Sequence, residues 1–382
     1  MKAGLLGRKL GHSLSPQIHR LFGDYEYRLY EREPEEVEKF LRTGFADGEF
    51  DFLNVTIPYK QDVFRLCDEL SPLAQRLGNV NFVMRRADGS LYGDNTDAYG
   101  VGRLLDVTGA EVRGRKCAIL GAGDAAMTVK AVLEERGAAE ATFVRRGESP
   151  SAEASLIVNA TPVGMFPDVD GVRIDIADYP ACETVVDLVY NPSPTRLVRE
   201  ALAYGKKAAD GLVMLIAQAW RAYKLAQDAR HETRDSHSNI FLYGPPASGK
   251  STLGRKVAQA TEREFVDLDE EIVKAAGRSI PEIFAAEGEP AFRARELAAL
   301  QAVAGRSGCV VALGGGALLN PEARRVAEAA GRVVCLDCPL ETLLARLSCD
   351  GSRPLAADRE RLRRLVESRA AHYASFSVRV AF

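Results

Sequence analysis

The feature that most constrains the fold is Gly-Pro-Pro-Ala-Ser-Gly-Lys-Ser-Thr at residues 244–252, a complete phosphate-binding loop. It lies between a strand-like run, Asn239–Tyr243, and a helical pattern, which is the context this loop requires. Backbone N–H groups of such a loop wrap phosphates, Lys250 reaches the β- and γ-phosphates, and the Ser251 hydroxyl ligates Mg²⁺. The motif predicts an α/β domain with a nucleoside triphosphate site.

A second glycine turn, Gly121-Ala-Gly-Asp-Ala-Ala, follows the strand-like run 116–120 and leads into a helix. This arrangement predicts a dinucleotide pyrophosphate bound at a helix N-terminus. The next strand ends in Arg145 and Arg146, where an acidic residue would favour NAD and arginines favour the 2′-phosphate of NADP. A solvated basic turn is the alternative. The residues predicted to hold NADP(H) here are Gly121, Ala122, Gly123, Ala125, Ala126, Arg145 and Arg146.

Bulk composition limits the classes of partner. A chain of 382 residues is too long for one compact core, and a net charge of −3 argues against nucleic acid or an anionic membrane as partner. No apolar run approaches the roughly 20 residues that span a bilayer. Seven scattered cysteines fit a reducing compartment, so we expect a cytoplasmic protein. Cys335 and Cys338 have a redox spacing, but their context favours a buried strand.

Apolar strands alternate with helical patterns in both halves, which predicts α/β domains with largely parallel sheets. We predict a catalytic α/β substrate domain at residues 1–99, completed by a helix at 212–229. A Rossmann domain for NADP is predicted at 100–211, a polar linker at 230–238, and a P-loop domain with a parallel sheet at 239–382.

Six further motifs follow one another along residues 1–228: Gly11-His-Ser-Leu-Ser-Pro-Gln-Ile-His, Asn54-Val-Thr-Ile-Pro-Tyr-Lys, Gly93-Asp-Asn-Thr-Asp-Ala-Tyr-Gly, Asn159-Ala-Thr-Pro-Val-Gly-Met, Asp187-Leu-Val-Tyr-Asn-Pro and Gly211-Leu-Val-Met-Leu-Ile-Ala-Gln-Ala. In these motifs and their order, residues 1–228 resemble shikimate dehydrogenase.

The resemblance implies a carbonyl reduction in which Lys60 donates the proton and Asp97 holds the lysine and the same hydroxyl. Taken singly, Lys60 reads as a surface lysine and Asp97 as a helix N-cap. Gly211 and Met214 are expected to line the nicotinamide. The residues expected to hold the substrate ring are Ser13, Ser15, Thr56, Asn81, Tyr190 and Gln218.

Three positions depart from the family pattern. Asp124 stands where the family usually repeats glycine, so it either caps the helix or repels the pyrophosphate. Phe82 follows Asn81 where threonine is usual, and we expect it to reshape one wall of the substrate site. Only a short segment, 147–154, stands where the family has a helix.

After the phosphate-binding loop come Phe265-Val-Asp-Leu-Asp, Gly288-Glu-Pro-Ala-Phe-Arg-Ala-Arg-Glu, Gly314-Gly-Gly, Arg353-Pro-Leu and Glu367-Ser-Arg-Ala-Ala-His-Tyr. With these motifs, residues 239–382 resemble shikimate kinase, and the resemblance implies a nucleoside-monophosphate-kinase-like fold. Strand alternation would place Asp267 and Asp269 on one face. Taken singly, each motif also has a plain structural interpretation, such as a solvated strand end or a surface arginine.

The resemblance implies Mg²⁺ near Ser251 and Asp267, Asp269 as the base that holds the substrate hydroxyl, and Arg293 paired with Glu296. Arginine suits a carboxylate because its fork binds bidentately. Expected ATP contacts are Gly244, Ala247, Ser248, Gly249, Lys250, Ser251, Thr252, Arg346 and Arg353. Expected substrate contacts in this half are Asp269, Arg293, Gly314, Gly315, Gly316 and Arg369.

Together the resemblances predict a bifunctional enzyme that reduces 3-dehydroshikimate with NADPH and phosphorylates the resulting shikimate with MgATP. One alternative is an active kinase that carries a weak or regulatory dehydrogenase-like module. Another is a P-loop domain that serves a different hydroxylated acid or a nucleotide. The sequence leaves monomer and homodimer open.

Overall fold

The computed structural model describes residues 1–11, 13–230, 238–347 and 359–381. The chain divides into two compact units, residues 1–16 with 25–231 and residues 17–24 with 232–382. Residues 231–237 of the predicted linker lie outside the described residues, and so does Arg353 in the predicted ATP lid. Among the described helices, none combines the length and the apolar character needed to cross a membrane.

The first sheet has six strands in the order β2-β1-β3-β5-β6-β4, with β5 antiparallel to both of its neighbours. Phe82 is fully buried in this sheet, where its ring packs against Phe52, so it lies in the core and the expectation that it reshapes a wall of the substrate site is wrong. The elements of this region are β1 (Lys2–Gly7), α1 (Ser15–Phe22), β2 (Glu26–Glu31), α2 (Val37–Ala46), β3 (Phe52–Val55), α3 (Lys60–Leu66), β4 (Glu69–Leu70), α4 (Pro72–Leu77), β5 (Phe82–Arg85), β6 (Leu91–Asp94) and α5 (Asp97–Thr108).

The second sheet is parallel throughout, in the order β11-β10-β9-β7-β8. No helix separates β8 from β9, as the short segment predicted. Helix α8 packs Ala222 and Ala226 with the core of the first sheet. The elements are β7 (Lys116–Leu120), α6 (Asp124–Glu135), β8 (Glu140–Val144), β9 (Leu156–Asn159), β10 (Thr184–Asp187), α7 (Arg196–Ala203), β11 (Lys207–Ala209) and α8 (Leu212–Ala229).

The third sheet is also parallel, in the order β13-β14-β12-β15-β16. Its central strand is buried along its whole length, as expected when both faces are covered. The prediction of largely parallel α/β sheets is therefore confirmed. The elements are β12 (Asn239–Tyr243), α9 (Lys250–Thr261), β13 (Glu264–Asp267), α10 (Leu268–Ala276), α11 (Ile280–Ala304, kinked at Gly288), β14 (Cys309–Ala312), α12 (Pro321–Ala330), β15 (Gly331–Asp337), α13 (Leu340–Leu347), α14 (Arg359–Ala374) and β16 (Arg379–Ala381).

Candidate active sites

A lysine and an aspartate form a nearly enclosed ion pair in the first unit. Lys60 begins α3 and Asp97 begins α5, and Lys60 Nζ lies 2.6 Å from Asp97 Oδ2. Their side chains are only 11% and 13% exposed. Thr96, and not Asp97, is the N-cap residue of α5, and the Asp97 carboxylate pairs with Lys60. The pair can hold an ammonium proton at a fixed position beside a substrate.

A buried polar group surrounds the backbone just before Asp97. Thr96 N donates to Asn81 Oδ1 at 2.6 Å, and Asn81 Nδ2 donates back to Thr96 Oγ1 at 3.1 Å. Thr96 Oγ1 lies 3.5 Å from Gln218 Oε1 on α8. The structure thus brings the predicted Asn81 and Gln218 together through Thr96, which the sequence reasoning missed although it stands inside the aspartate motif.

Ser13 and Ser15, from the first family motif, form a second polar group. Ser13 Oγ donates to Ser15 Oγ at 3.1 Å, and burial raises the pKa of Tyr27 despite its hydrogen bond with Ser15. The Tyr27 hydroxyl also donates to Asn54 Oδ1 at 2.9 Å. Tyr27, on β2, was not predicted, because nothing in its local sequence marks it. Tyr190 is partly buried, and no hydrogen bond described in the structure links it to these serines.

Thr56, the remaining predicted substrate contact, follows β3. Its amide donates to Leu6 O at 2.9 Å, and its methyl carbon would lie 2.8 Å from a Cβ added to Gly7. Strand β1 therefore packs closely against the catalytic-lysine segment at Gly7, where a Cβ would displace the side chains of Leu10 and Thr56.

The dinucleotide turn leaves room for a phosphate. Gly121 has φ +109°, and a Cβ added to Gly123 would meet no atom within 4 Å. Gly123 is the N-cap of α6, and Asp124 is the first helical residue, so Asp124 does not cap the helix. Its carboxylate accepts a hydrogen bond from Gln61 Nε2 at 3.0 Å. The open space over a helix N-terminus fits a pyrophosphate.

Two features support the predicted cofactor contacts elsewhere in this unit. A Cβ on Gly211 would lie 2.1 Å from Leu188 O, so this close backbone approach requires glycine. Arg145 and Arg146 are exposed, and among the described residues no carboxylate pairs with either guanidinium. The Arg145 amide instead donates to Glu148 Oε2 at 2.6 Å, which braces the turn.

The phosphate-binding loop of the second unit is closed on itself. Lys250 Nζ donates to Gly244 O at 3.0 Å and to Pro245 O at 2.7 Å. The buried Ser248 Oγ has no hydrogen-bond partner among the described residues. An arriving phosphate oxygen would satisfy such a hydroxyl, so the loop fits a nucleotide phosphate. Arg346 is also close, with Nη1 3.6 Å from a Cβ added to Gly249.

The prediction that Asp267 and Asp269 alternate along one strand is wrong. Strand β13 ends at Asp267, the N-cap of α10, whose Oδ1 accepts from Asp269 N at 3.1 Å. Asp269 is thus helical, because an N-cap aspartate and an acidic first turn favour a helix start. Ser251 Oγ still donates to Asp267 Oδ2 at 2.7 Å, which places hydroxyl and carboxylate oxygens together as Mg²⁺ ligands require.

Carboxylates approach one side of the glycine turn that follows β14. A Cβ added to Gly314 would lie 2.9 Å from Glu296 Oε1 and 3.3 Å from Asp269 Oδ1. Burial raises the pKa of Glu296, which Arg293 partly offsets. The missing Cβ at Gly314 therefore lets these carboxylate oxygens lie close against the turn.

Arginines approach the other side of the same turn. A Cβ added to Gly316 would lie 3.0 Å from Arg293 Nη2 and 3.3 Å from Arg369 Nη1. Arg293 Nη1 is 2.7 Å from Glu296 Oε2. Two guanidinium groups facing one glycine turn can bind the carboxylate of a small acid bidentately. The two units define the class: a dinucleotide-dependent oxidoreductase joined to a P-loop phosphotransferase.

Comparison with known proteins identifies the family. Residues 5–83 match the shikimate dehydrogenase substrate binding domain, and residues 246–381 match shikimate kinase. The shikimate dehydrogenase (NADP(+)) of Clostridium beijerinckii is 33% identical over 254 residues, covering 60% of this chain and 93% of that relative. That of Methanopyrus kandleri is 37% identical over 258 residues, covering 58% and 88%.

Solved structures agree. A chorismate mutase/shikimate 5-dehydrogenase fusion protein from Clostridium acetobutylicum is 31% identical, with a TM-score of 0.56 and coverage of 59% of this chain and 91% of that chain. Shikimate 5-dehydrogenase from Thermus thermophilus, in complex with NADP(H) and shikimate, is 30% identical, with a TM-score of 0.52 and coverage of 61% and 99%. The chain belongs to the shikimate dehydrogenase family and carries a shikimate kinase domain after it.

Proposed function

We propose that the first unit reduces 3-dehydroshikimate to shikimate with NADPH and that the second phosphorylates shikimate with MgATP. The reductase assignment rests on the enclosed Lys60–Asp97 pair, and the kinase assignment on the charged groups around residues 314–316. The domain bounds predicted from sequence remain part of this proposal, as does a cytoplasmic location.

In the reductase, bound NADPH supplies the hydride. Lys60 Nζ donates a proton to the carbonyl oxygen as it becomes a hydroxyl, and Asp97 keeps the ammonium aimed at that oxygen. The low exposure of both side chains strengthens the charge interaction because little water screens it. Asn81 and Gln218 hold the segment before Asp97 and offer amide groups to ring hydroxyls.

In the kinase, bound MgATP supplies the phosphoryl group. Asp269 accepts the proton of the substrate hydroxyl, and Arg293 and Arg369 bind the carboxylate. Lys250 must exchange the carbonyls of Gly244 and Pro245 for phosphate oxygens, which its flexible side chain permits.

The deciding experiment follows NADPH loss and ADP formation in one tube that contains 3-dehydroshikimate, NADPH and MgATP. Lys60→Ala should lower NADPH oxidation about 10³-fold, because a positioned proton donor contributes 10²–10⁴-fold. Phosphorylation of added shikimate should not change. A parent rate of reduction no greater than that of Lys60→Ala would leave only a kinase with a binding module.

The kinase substrate needs its own test. ADP formation should respond to shikimate far more strongly than to quinate or gluconate, since the two arginines specify a carboxylate but the ring must also fit. A stronger response to gluconate would overturn the assignment.

A further inference from the structure

One backbone carbonyl in the kinase site receives three hydrogen-bond donors. Gly315 O accepts from Tyr373 Oη at 2.7 Å, from Arg369 Nη1 at 3.2 Å and from Tyr243 Oη at 3.3 Å. A carbonyl oxygen has two lone pairs, so three donors exceed its capacity. The arginine bond is longer than the Tyr373 bond, so Arg369 can leave while Tyr373 still satisfies the carbonyl.

The three donors come from elements that border the site. Tyr243 ends β12 directly before the phosphate-binding loop, and Arg369 and Tyr373 lie one helical turn apart on α14. Both tyrosines are buried, and their rings lie 5.5 Å apart. The Phe376 ring packs 5.2 Å from the Tyr243 ring and belongs to the same aromatic cluster.

We propose that Tyr243 and Tyr373 are positioning residues for Arg369. By satisfying the Gly315 carbonyl from its buried side, they allow Arg369 Nη1 to leave that carbonyl for the substrate carboxylate. Without them, releasing the arginine would leave a buried carbonyl unsatisfied, so the guanidinium would stay on the backbone. This inference rests on the proposed role of Arg369 as a carboxylate ligand.

The test uses the full chain with shikimate and saturating MgATP. Tyr373→Phe should raise the KM for shikimate about three- to tenfold, the range expected for one hydrogen bond, with kcat within about twofold. Tyr243→Phe should have a smaller effect because its bond is longer, and the double variant the largest. Calorimetric binding of shikimate without nucleotide should weaken by the same factors.

A double-mutant cycle separates this inference from the function on which it rests. Arg369→Lys should weaken shikimate binding, and adding Tyr373→Phe to it should have little further effect, since the arginine is gone. If Arg369→Lys leaves binding unchanged, the proposed carboxylate role fails and the inference with it. If Arg369→Lys weakens binding while both tyrosine variants behave as the parent, only the inference is overturned.

Phe376→Leu is the packing control, since it loosens the same aromatic cluster and removes no hydroxyl group. It should lower the melting temperature and leave the KM for shikimate within about twofold. Reduction by the first unit of the same chain serves as an internal standard for the amount of protein in each variant sample. A KM rise in Phe376→Leu equal to that in Tyr373→Phe, or a fall in kcat alone, would overturn the proposal.

Discussion

The two nucleotide-binding turns share one backbone arrangement, but the helices that follow them begin with side chains of opposite charge. In each, a buried parallel strand ends, a glycine turn follows and a helix begins. The first residue of the helix is Asp124 in the dinucleotide turn and Lys250 in the phosphate-binding loop. Backbone N–H groups make both turns anion sites, and the first helical side chain then sets how strongly each attracts phosphate.

Each of these side chains is already engaged with protein atoms. Lys250 donates to carbonyls of its own loop, from which it moves to phosphate. Asp124 is held by Gln61, next to Lys60 on α3, so its charge stays within the first turn of α6. The dinucleotide site must therefore take its positive charge from elsewhere, and Arg145 and Arg146 are the exposed candidates.

The buried carboxylates of the two units also differ in the charge of their partners. Glu296 lies against Arg293, whereas the donors to Asp187 among the described residues are neutral: Thr195 Oγ1 at 2.7 Å, Asn159 Nδ2 at 2.9 Å and Val189 N at 3.0 Å. Burial raises the pKa of Asp187 from 3.8 to about 6, with a contribution from nearby Asp210. The first unit thus carries a pH-sensitive group.

The largest effect is expected at the phosphate-binding loop, where the helix begins with Lys250. Lys250→Ala should lower the kcat of phosphorylation about 10³-fold, since removal of one preorganised donor to transition-state charge has effects of 10²–10³. A coupled ADP assay measures it, with Lys256→Ala on the same helix as control and reduction by the first unit unchanged. Retention of more than a tenth of the parent rate would contradict the role of Lys250.

Asp187→Asn should remove a pH dependence of stability. Because the folded pKa is raised, the protonated carboxyl contributes stability that is complete below pH 3.8 and is lost as pH rises through about 6. The loss in the parent is about 3 kcal/mol. Trp220, the only tryptophan and a residue of α8, reports urea unfolding of the first unit by fluorescence.

The matched control for that experiment is Asp178→Asn, an exposed site in the same unit, which should keep the parent slope between pH 4 and pH 7. An Asp187→Asn slope identical to that of the parent would show that another group carries the dependence.

Replacing both Arg145 and Arg146 by alanine should weaken NADPH binding about tenfold or more, because charge-assisted hydrogen bonds contribute about 1.5–3 kcal/mol. NADH binding should hardly change, since it lacks the 2′-phosphate. Fluorescence titration of both cofactors measures the ratio, with exposed Arg113→Ala as control. Equal loss for NADH and NADPH would support a basic turn without a phosphate role.

The smallest effect is expected at the dinucleotide turn, where the helix begins with Asp124. Asp124→Asn keeps a hydrogen-bond partner for Gln61 and removes the charge, so NADPH should bind about two- to fivefold more tightly at low salt. The gain should shrink as salt screens the interaction. Asp124→Gly should gain as much. A gain in the glycine variant alone would point to side-chain volume instead of charge.

Ordered motifs sufficed to predict the fold class, because glycine turns and strand ends leave local sequence patterns. The pairing of Lys60 with Asp97 across 37 positions was implied by the family resemblance that those motifs carry. Strand alternation failed at Asp269, because the helix starts one residue after Asp267. Thr96 and Tyr27 were missed because their roles depend on partners distant in sequence.

The sequence by itself determined that a phosphate-binding loop and a dinucleotide turn stand on one chain, since each motif is local and requires a strand before it and a helix after it. Only the tertiary structure decided which groups contact the charged side chains. Gln61 donates to Asp124, and Lys250 donates to two backbone carbonyls. Two tyrosines share the Gly315 carbonyl with Arg369. Most of these contacts join residues far apart in the chain, and no local pattern encodes such partners.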